Sequence, residues 1–395
     1  MDVKKGTKKI KILYFIDFIK TEFAGTEGQL LKMINGMDAD KLDITLLCLE
    51  NNDWIKENSW KFSCPVYVFN VYRFKRLATY LDMFRVYSLI KIIAPDIVHT
   101  FFPISNVVGV ILGRMAGVKN TISSRRDSGQ WMNPVSLFFA RLANLFVKRI
   151  MVNSDEVKEI TIKREGVQKG KIDRIYNGID LSDFLYKLKY SDGGIIKRNL
   201  RIPDSHKVIG IVANHRPMKY LHTFLEAAEI LLRKRKDLAF ILVGDGFLRK
   251  ELENLAVHLK IDGNVFFVGR ERDVIPYLSI FDIGVNCSKA EGLSNAIIEY
   301  MAAKVPCVVT NAGGNPSLIK DNVNGFLFEL NHPKDLADKI TKLLERKVLR
   351  QEFVDNAYEF VKNRLDISRM ISDYSDYYSR LKGERRTLQG DLHSV

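Results

Sequence analysis

Short runs of hydrophobic residues alternate with longer amphipathic stretches along most of the chain. The short runs are rich in β-branched residues, and the longer stretches have apolar residues at helical spacing, which is the pattern of parallel strands joined by crossover helices. In the first half, the predicted strands are 10–16, 42–49, 65–69, 97–100, 121–124 and 150–152, and the predicted helices are 29–37, 77–93, 106–116 and 155–164. This half therefore predicts an α/β domain with a parallel sheet.

A second and clearer series of the same kind follows. Its predicted strands are 208–212, 238–243, 265–268, 282–286 and 306–310, and its predicted helices are 220–236, 248–259, 273–280, 295–303 and several between 333 and 381. Between the two series, residues 181–203 lose the clear alternation and include Gly193-Gly194, which predicts the interdomain boundary in this segment. The pattern thus predicts an N-terminal domain over 1–185 and a C-terminal domain over 186–365. A helix at about 366–383 is expected to pack back on the first domain, and 384–395 to form a disordered tail.

Length and composition agree with two globular domains. A chain of 395 residues is too long for one ordinary hydrophobic core. Its 46% hydrophobic and 27% charged residues are typical of a soluble globular protein. The sequence has no run of 18 apolar residues, no signal-peptide pattern at its N-terminus, and four cysteines without metal or disulfide spacing. The expected location is the cytoplasm.

The net charge of +14 is placed unevenly. Residues 1–190 contain 30 Lys and Arg against 20 Asp and Glu, a net of +10. A basic half-protein favours an anionic partner, which could be a membrane surface, a phosphate-bearing acceptor or nucleic acid; a merely soluble basic surface is the alternative. Because the chain has no known nucleic-acid-binding motif, no nucleic-acid partner is expected.

Several common catalytic motifs are absent from the sequence. Gly244-Asp245-Gly246 follows a predicted strand, but no third glycine completes a dinucleotide-binding fingerprint. The phosphate-binding loop of P-loop kinases, the metal-binding His-Glu-x-x-His and the hydrolase Gly-x-Ser-x-Gly are also missing. These absences disfavour dehydrogenases, P-loop kinases, zinc peptidases and α/β-hydrolases.

The most informative segment runs from Glu291 to Glu299, where a strand ends, a short loop follows, and a helix begins near Ser294. In an open α/β sheet, ligands bind outside the carboxyl ends of the strands, where this loop must lie. The unpaired amides at the start of the helix suit a diphosphate, and Gly292 lets the backbone approach it closely. Glu299, one turn further on, can accept hydrogen bonds from ribose hydroxyls, and Glu291 is better placed for a sugar.

With its surroundings, this segment resembles glycosyltransferase family 4, whose fold is GT-B: two Rossmann-like domains with parallel sheets that face a central cleft. The similarity runs through the Glu-x7-Glu signature to the Pro-strand-Gly-Gly sequence that ends at Gly314. Further matching segments are Asn177–Asp180, Val212–Lys219, Leu242–Gly246, Val268–Arg270 and Asn324–Phe328 in the C-terminal half. In the N-terminal half the resemblance is looser, at Ala24–Glu27 and Pro95–His99.

The resemblance implies transfer with retention of configuration from a nucleotide sugar, with UDP the expected nucleotide. It implies that Arg216 and Lys219 hold the diphosphate and act in catalysis together with Glu291. The remaining donor-binding residues that it implies are Gly25, Arg270, Gly292, Leu293, Ser294, Asn295 and Glu299. The family's usual Arg position is Asn214 here, and its usual glycine after the Lys is Tyr220. No Asp-x-Asp cluster lies in this region, so neither a metal nor another cofactor is expected.

On the acceptor side, His99 and the Arg125-Arg126-Asp127 sequence are candidates, the latter in place of the family's usual His-Asp or His-Gly. An anionic acceptor, a replaced sugar contact and a structural ion pair are all open for these charges. The segments Tyr72–Arg76 and Trp131–Arg149 mix basic and aromatic residues, which favours peripheral binding at the inner face of the cytoplasmic membrane. The expected acceptor is then a saccharide, in particular a lipid-linked one of envelope polysaccharide assembly. A phosphorylase or epimerase on the same scaffold and a non-catalytic nucleotide-sugar sensor are the alternatives.

Overall fold

The computed structural model describes residues 9–22, 25–72, 77–127, 129 and 132–383. The basic residues Arg73, Lys75 and Arg76, together with Ala24, Trp131 and the predicted tail 384–395, lie outside the described residues. Among the helices of the described ranges, none is both long and apolar enough to cross a bilayer.

Strands and helices alternate regularly through the N-terminal half. The strands are β1 (Ile10–Ile16), β2 (Leu42–Cys48), β3 (Val66–Val68), β4 (Ile97–Phe101), β5 (Asn120–Arg125), β6 (Arg149–Val152) and β7 (Ile172–Arg174). The helices are α1 (Gly25–Gly36), α2 (Asp53–Asn58), α3 (Leu77–Ile93), α4 (Pro103–Met115), α5 (Pro134–Phe146) and α6 (Asp155–Glu165).

The C-terminal half repeats the alternation and ends in helices. Its strands are β8 (Lys207–Val212), β9 (Leu238–Val243), β10 (Val265–Gly269), β11 (Ile283–Asn286), β12 (Cys307–Thr310) and β13 (Phe326–Phe328). The helices are α7 (Leu181–Lys189), α8 (Gly193–Asn199), α9 (Leu221–Lys234), α10 (Arg249–His258), α11 (Ile275–Leu278), α12 (Asn295–Ala302), α13 (Pro333–Glu345), α14 (Lys347–Phe360) and α15 (Ile367–Gly383), and a π-helical turn at Val361–Leu365 separates the last two.

The chain forms two compact units. Of the described residues, those within 9–152, 158–175 and 368–383 form the first unit, and those within 153–157 and 176–367 form the second. Most of α15 therefore groups with the N-terminal unit. The division falls between Ile175 and Tyr176, whereas the sequence pattern places it after residue 185.

The segment in which the sequence pattern places the interdomain boundary contains α7 and α8. Asp180 caps α7 by accepting a hydrogen bond from the backbone N–H of Asp183 (3.0 Å), and Asp192 caps α8 through the N–H of Ile195 (3.2 Å). Gly193 and Gly194 form the first turn of α8. A capping aspartate thus precedes each of these helices and supports its start where the sequence pattern shows no clear alternation.

Each unit is built on one parallel sheet. The first has the strand order β3-β2-β1-β4-β5-β6-β7 and the second β10-β9-β8-β11-β12-β13. The central strands are buried on both faces, which is why all residues of β4 and β9 are buried and apolar residues dominate them. The α/β class with two parallel-sheet domains is thereby confirmed. In each sheet the strand order reverses next to its first strand, so ligand sites are expected at the carboxyl ends there.

Candidate functional site

The loop after β8 holds the two basic residues expected to bind the donor's diphosphate. It is supported by the loop after β9: the backbone N–H of His215 donates to the carbonyl of Asp245 (2.9 Å). Gly244 has φ +135°, and a Cβ there would lie 1.9 Å from the carbonyl oxygen of Ala213. Glycine at this position is thus required both by the backbone conformation and by the close approach of the two loops. Arg216 is exposed, and Lys219 ends a short 3-10 turn.

Lys219 and Glu291 form an ion pair at the carboxyl edge of the second sheet. The Lys219 Nζ lies 2.7 Å from the Glu291 Oε1, and the two side chains are only 15% and 14% exposed. The same carboxylate oxygen accepts hydrogen bonds from the Ser288 hydroxyl (2.5 Å) and the Asn286 side-chain amide (3.1 Å). One oxygen therefore receives three donors, and this fixes the carboxylate in place.

These contacts keep Glu291 ionised. Burial by itself would raise the pKa of the Glu291 carboxyl, but the Lys219 charge and the three hydrogen bonds outweigh it. The pKa of Glu291 consequently lies below its ordinary value. At neutral pH the pair is a carboxylate and an ammonium group, and Lys219 has further N–H donors that can reach a second acceptor.

The Gly313-Gly314 pair explains how the Glu291 loop is packed. The backbone N–H of Gly314 donates to the carbonyl of Glu291 (2.9 Å). A Cβ on Gly314 would lie 1.9 Å from the carbonyl oxygen of Gly292. The glycine pair thus lets the loop after β12 contact the loop after β11 directly.

Helix α12 begins beside this cluster. Ser294 occupies the N-cap position but makes no capping bond with its side chain, and its hydroxyl instead accepts from Asn286 (3.1 Å). The Asn295 side chain accepts a hydrogen bond from Asn177 (3.0 Å). The Leu293 side chain is buried in the core of the unit, so only its backbone is available for a ligand. Glu299 is half-buried one turn into the helix.

Two other donor-side candidates lie elsewhere. Arg270 is exposed directly after β10, next to Gly269, whose carbonyl accepts a hydrogen bond from the Gly244 N–H (2.7 Å). Gly25 belongs to the first unit, where it is exposed and begins α1. Arg270 and the Lys219 loop therefore both lie at the carboxyl ends of the neighbouring strands β8, β9 and β10. Gly25 lies on the carboxyl side of β1.

Tyr220 shows what the departure from the family's glycine entails. It has φ +49° and ψ +42°, the left-handed conformation, between the 3-10 turn and α9. Glycine adopts this conformation at little cost, whereas a residue with a Cβ pays about 1 kcal/mol or more. The backbone of the loop therefore keeps the conformation that glycine would favour, with a tyrosine side chain attached.

His99 does not lie where the sequence suggested. It is fully buried within β4, and its ring nitrogens form hydrogen bonds with the Tyr378 hydroxyl (2.8 Å) and the Ser124 hydroxyl (2.9 Å). Burial, with a smaller contribution from the Arg126 charge, lowers the pKa of His99 well below its ordinary value. The expectation that His99 lines the acceptor site is corrected: both nitrogens are occupied within the unit, and they connect α15 to the sheet.

Arg125 is likewise a structural residue. Its guanidinium makes a bidentate pair with Glu165, at 2.8 Å for both bonds, and also donates to Asn144 (3.1 Å). The Arg125 and Glu165 side chains are 10% and 2% exposed. Of the three interpretations left open for Arg125, the structural ion pair is the one observed.

Arg126 and Asp127 lie at the carboxyl end of β5, on the wall of a cavity of about 90 Å³. Arg126 lies over the Phe101 ring, 5.9 Å from its centroid, and donates to the Tyr374 hydroxyl (3.4 Å). Phe102, which also lines the cavity, has φ +73° and ψ +163°, a region that residues other than glycine rarely occupy. Such strain is more frequent at functional sites than elsewhere, so this end of the first sheet is a candidate acceptor region.

Sequence reasoning missed the two residues that hold Glu291. Asn286 ends β11 and Ser288 follows two residues later. Asn286 is itself held, because its side-chain oxygen accepts from the Ser288 N–H (2.9 Å) and from the Asn315 amide (3.3 Å). The available signal was their position, since short polar residues directly after a buried strand lie at the ligand-binding edge of a parallel sheet.

Comparisons with known proteins agree with this picture. The family described as glycosyl transferases group 1 matches residues 194–360, and the one described as glycosyltransferase family 4 matches residues 23–183. The chain is 27% identical over 388 residues to UDP-Gal:alpha-D-GlcNAc-diphosphoundecaprenol alpha-1,3-galactosyltransferase of Escherichia coli, covering 95% of this chain and 98% of that one. It is 27% identical over 215 residues to N-acetyl-alpha-D-glucosaminyl L-malate synthase of Bacillus anthracis, covering 54% of this chain and 55% of that one.

Among solved structures, the crystal structure of Anabaena Alr3699/HepE in complex with UDP has a TM-score of 0.81 and 21% identity, covering 94% of this chain and all of that one. At this identity the likeness shows the fold, which is GT-B. One family match covers most of the first unit and extends to residue 183, the other lies within the second unit, and together they span most of the chain. The chain therefore belongs to glycosyltransferase family 4 and is a glycosyltransferase.

Proposed function

We propose that this glycosyltransferase moves a hexosyl group, with retention of configuration, from a UDP-sugar to a hydroxyl group of a saccharide. The observation that supports this most directly is the buried Lys219–Glu291 ion pair beside the start of α12. An ammonium group, a fixed carboxylate and the backbone amides at the start of the helix lie within one loop cluster. The ammonium group and the helix amides can bind a diphosphate, and the carboxylate can accept a hydrogen bond from a sugar hydroxyl.

In the proposed reaction, the bond between the anomeric carbon and the donor's β-phosphate oxygen breaks, and a bond from that carbon to the acceptor oxygen forms on the same face. The proton of the acceptor hydroxyl passes to the departing diphosphate. Lys219 and Arg216 stabilise the negative charge that develops on the leaving group, which is the largest contribution expected from the protein. Glu291 orients the sugar, and Glu299 accepts hydrogen bonds from the ribose.

The same residues make metal-independent binding of the donor part of the proposal. Lys219 and Arg216 offer two positive charges, and the start of α12 adds a partial one. Charge-assisted hydrogen bonds to phosphate are about twice as strong as neutral ones. These groups can take the role that a divalent cation has in other sugar transfers.

For the acceptor, we favour a lipid-linked saccharide of envelope polysaccharide assembly, with the enzyme bound peripherally to the membrane. The Escherichia coli relative, aligned over almost its whole length, acts by its name on a diphosphoundecaprenol-linked sugar. The Bacillus anthracis relative, aligned over about half of its length, is by its name a synthase of N-acetyl-alpha-D-glucosaminyl L-malate, and its acceptor would therefore be the small soluble molecule L-malate. The basic N-terminal half favours the lipid-linked class. A phosphorylase, an epimerase or a nucleotide-sugar sensor gains no support from the comparisons.

The test is a transfer assay with UDP-, GDP- and ADP-sugars and a lipid-linked saccharide acceptor, with the product anomer assigned by NMR. We expect transfer from a UDP-sugar with the donor's configuration retained. Lys219→Ala should lower turnover by about two to three orders of magnitude, as the loss of one strong electrostatic contact does. An inverted product, or full turnover in Lys219→Ala, would overturn the proposed mechanism.

A further inference from the structure

Helix α5 exposes its apolar face to the surroundings. Its large apolar residues recur at helical spacing, and their exposed fractions are 64% for Val135, 62% for Phe138, 47% for Phe139, 37% for Leu142, 73% for Leu145 and 47% for Phe146. Arg141 is the one charged residue in the helix. An amphipathic helix of a globular protein normally turns such a face to the core, so this orientation is unusual.

The first half of α3 has the same property. Leu77, Tyr80, Leu81 and Phe84 are exposed by 79%, 56%, 57% and 68%. Their spacing places them on one side of the helix. The opposite side of α3 supplies Val86 and Ile90 to the core of the first unit, so the exposed residues are not part of a poorly packed helix.

Both faces belong to the same side of the first sheet. Helices α3, α4 and α5 connect β3 to β4, β4 to β5 and β5 to β6, and α4 packs against both of the others. These three crossovers move in the same direction along the sheet, and right-handed crossovers that do so place their helices on one side of it. The exposed faces therefore point the same way. Their N-terminal ends lie at the carboxyl edge of the strands, where the cavity with Arg126 is found.

The charge of this segment complements an anionic surface. Residues 71–150, which include α3, α4 and α5, contain twelve Lys and Arg but only three Asp and no Glu, a net of +9. They therefore hold most of the net charge of +14 in about one fifth of the chain. Exposed aromatic and aliphatic side chains beside basic residues are the composition that binds the interface of a bilayer with anionic lipids.

We propose that the exposed faces of α3 and α5 form one docking surface for an anionic lipid bilayer. The proposal rests on the lipid-linked acceptor proposed above and adds the surface by which the enzyme reaches it. The apolar residues of α3 and α5 enter the headgroup region, and the exposed basic residues of this segment, among them Arg85 and Arg141, attract the anionic headgroups. The carboxyl ends of the strands, next to the N-terminal ends of α3 and α5, then lie beside the membrane from which a lipid-linked acceptor arrives.

The experiment uses the full chain and cosedimentation with vesicles of phosphatidylcholine, with or without phosphatidylglycerol. We expect wild type to bind the anionic vesicles, and raised salt to weaken this binding several-fold because the Debye length shortens. The double variant Phe138→Ser, Phe139→Ser should lose about tenfold or more of the vesicle affinity, since both rings are exposed. The matched control is Phe247→Ser, because Phe247 is 74% exposed but belongs to the second unit; it should bind vesicles as wild type does.

Three outcomes would overturn the docking surface. The first is that wild type does not bind anionic vesicles at low salt. The second is that the double variant and Phe247→Ser lose equal vesicle affinity. The third is that wild type binds no vesicles but forms a dimer that the double variant abolishes. Transfer to a short-chain, water-soluble acceptor analogue separates the two proposals, since it requires no membrane. If that transfer occurs without vesicle binding, the surface is refuted and the proposed function stands. If the protein binds vesicles but glycosylates no acceptor, the proposed function is refuted and the docking surface stands.

Discussion

Replacing Lys219 by methionine should destabilise the second unit, chiefly through the charge that is left behind. Glu291 and Lys219 are 14% and 15% exposed, so the carboxylate would lose its partner in a nearly buried position. Breaking a buried pair costs about 3–5 kcal/mol. Because Ser288 and Asn286 still donate to Glu291, we expect a smaller loss, about 2–3 kcal/mol at pH 7.

The pH dependence of this loss of stability shows whether the unpaired Glu291 carboxylate causes it. In wild type the pKa of Glu291 lies below its ordinary value of 4.5, so its stabilising contribution is complete above that pH and is lost as the pH falls through the folded-state pKa. Without Lys219, burial should raise the pKa of Glu291 instead. The difference in unfolding free energy between the two proteins should therefore be greatest near neutral pH and shrink as the pH falls through about 4.5.

The assay is urea unfolding followed by circular dichroism at pH 7 and pH 4, for wild type, Lys219→Met and the double variant Lys219→Met, Glu291→Gln. Glutamine keeps an oxygen that accepts from Ser288 and Asn286 but has no charge, so the double variant should regain at least half of the lost stability. It should not regain transfer activity. An equal loss of stability at both pH values, or no recovery in the double variant, would refute the explanation by an unpaired buried carboxylate.

Three further predictions concern the same site. Glu299→Ala should weaken binding of the donor by about 1.5–3 kcal/mol, the cost of losing a charged hydrogen-bonding group; equal affinity in calorimetry would remove Glu299 from the ribose site. Transfer should continue in EDTA, and loss of activity that Mg²⁺ or Mn²⁺ restores would contradict metal-independent binding. Because Tyr220 has φ +49°, Tyr220→Gly should be more stable to urea than Tyr220→Ala by about 1 kcal/mol. The opposite order, normal for a right-handed backbone, would show that the left-handed conformation is not kept.

The sequence by itself determined the alternation of strands and helices, and with it the parallel-sheet class. Strands such as β9 are buried on both faces and therefore appear as continuous apolar runs, which local pattern reveals. It also identified the family, because the signature from Glu291 to Gly314 is contiguous in the chain. That Lys219 and Glu291 lie together follows from topology, since both loops leave the carboxyl ends of the neighbouring strands β8 and β11.

Only the tertiary structure decided which polar residues are available to a ligand. His99 and Arg125 are residue types that often bind ligands, but here both are held by other side chains. Their partners Tyr378 and Glu165 lie 279 and 40 residues further along the chain. Asn286 and Ser288 carry no family signature, but folding brings their side chains to one oxygen of Glu291. The exposed faces of α3 and α5 show the same limit: spacing reveals that a helix is amphipathic, but the side that it turns outward depends on the packing of its neighbours. A hydrogen bond or a buried face is a property of two segments at once, and local sequence describes only one of them.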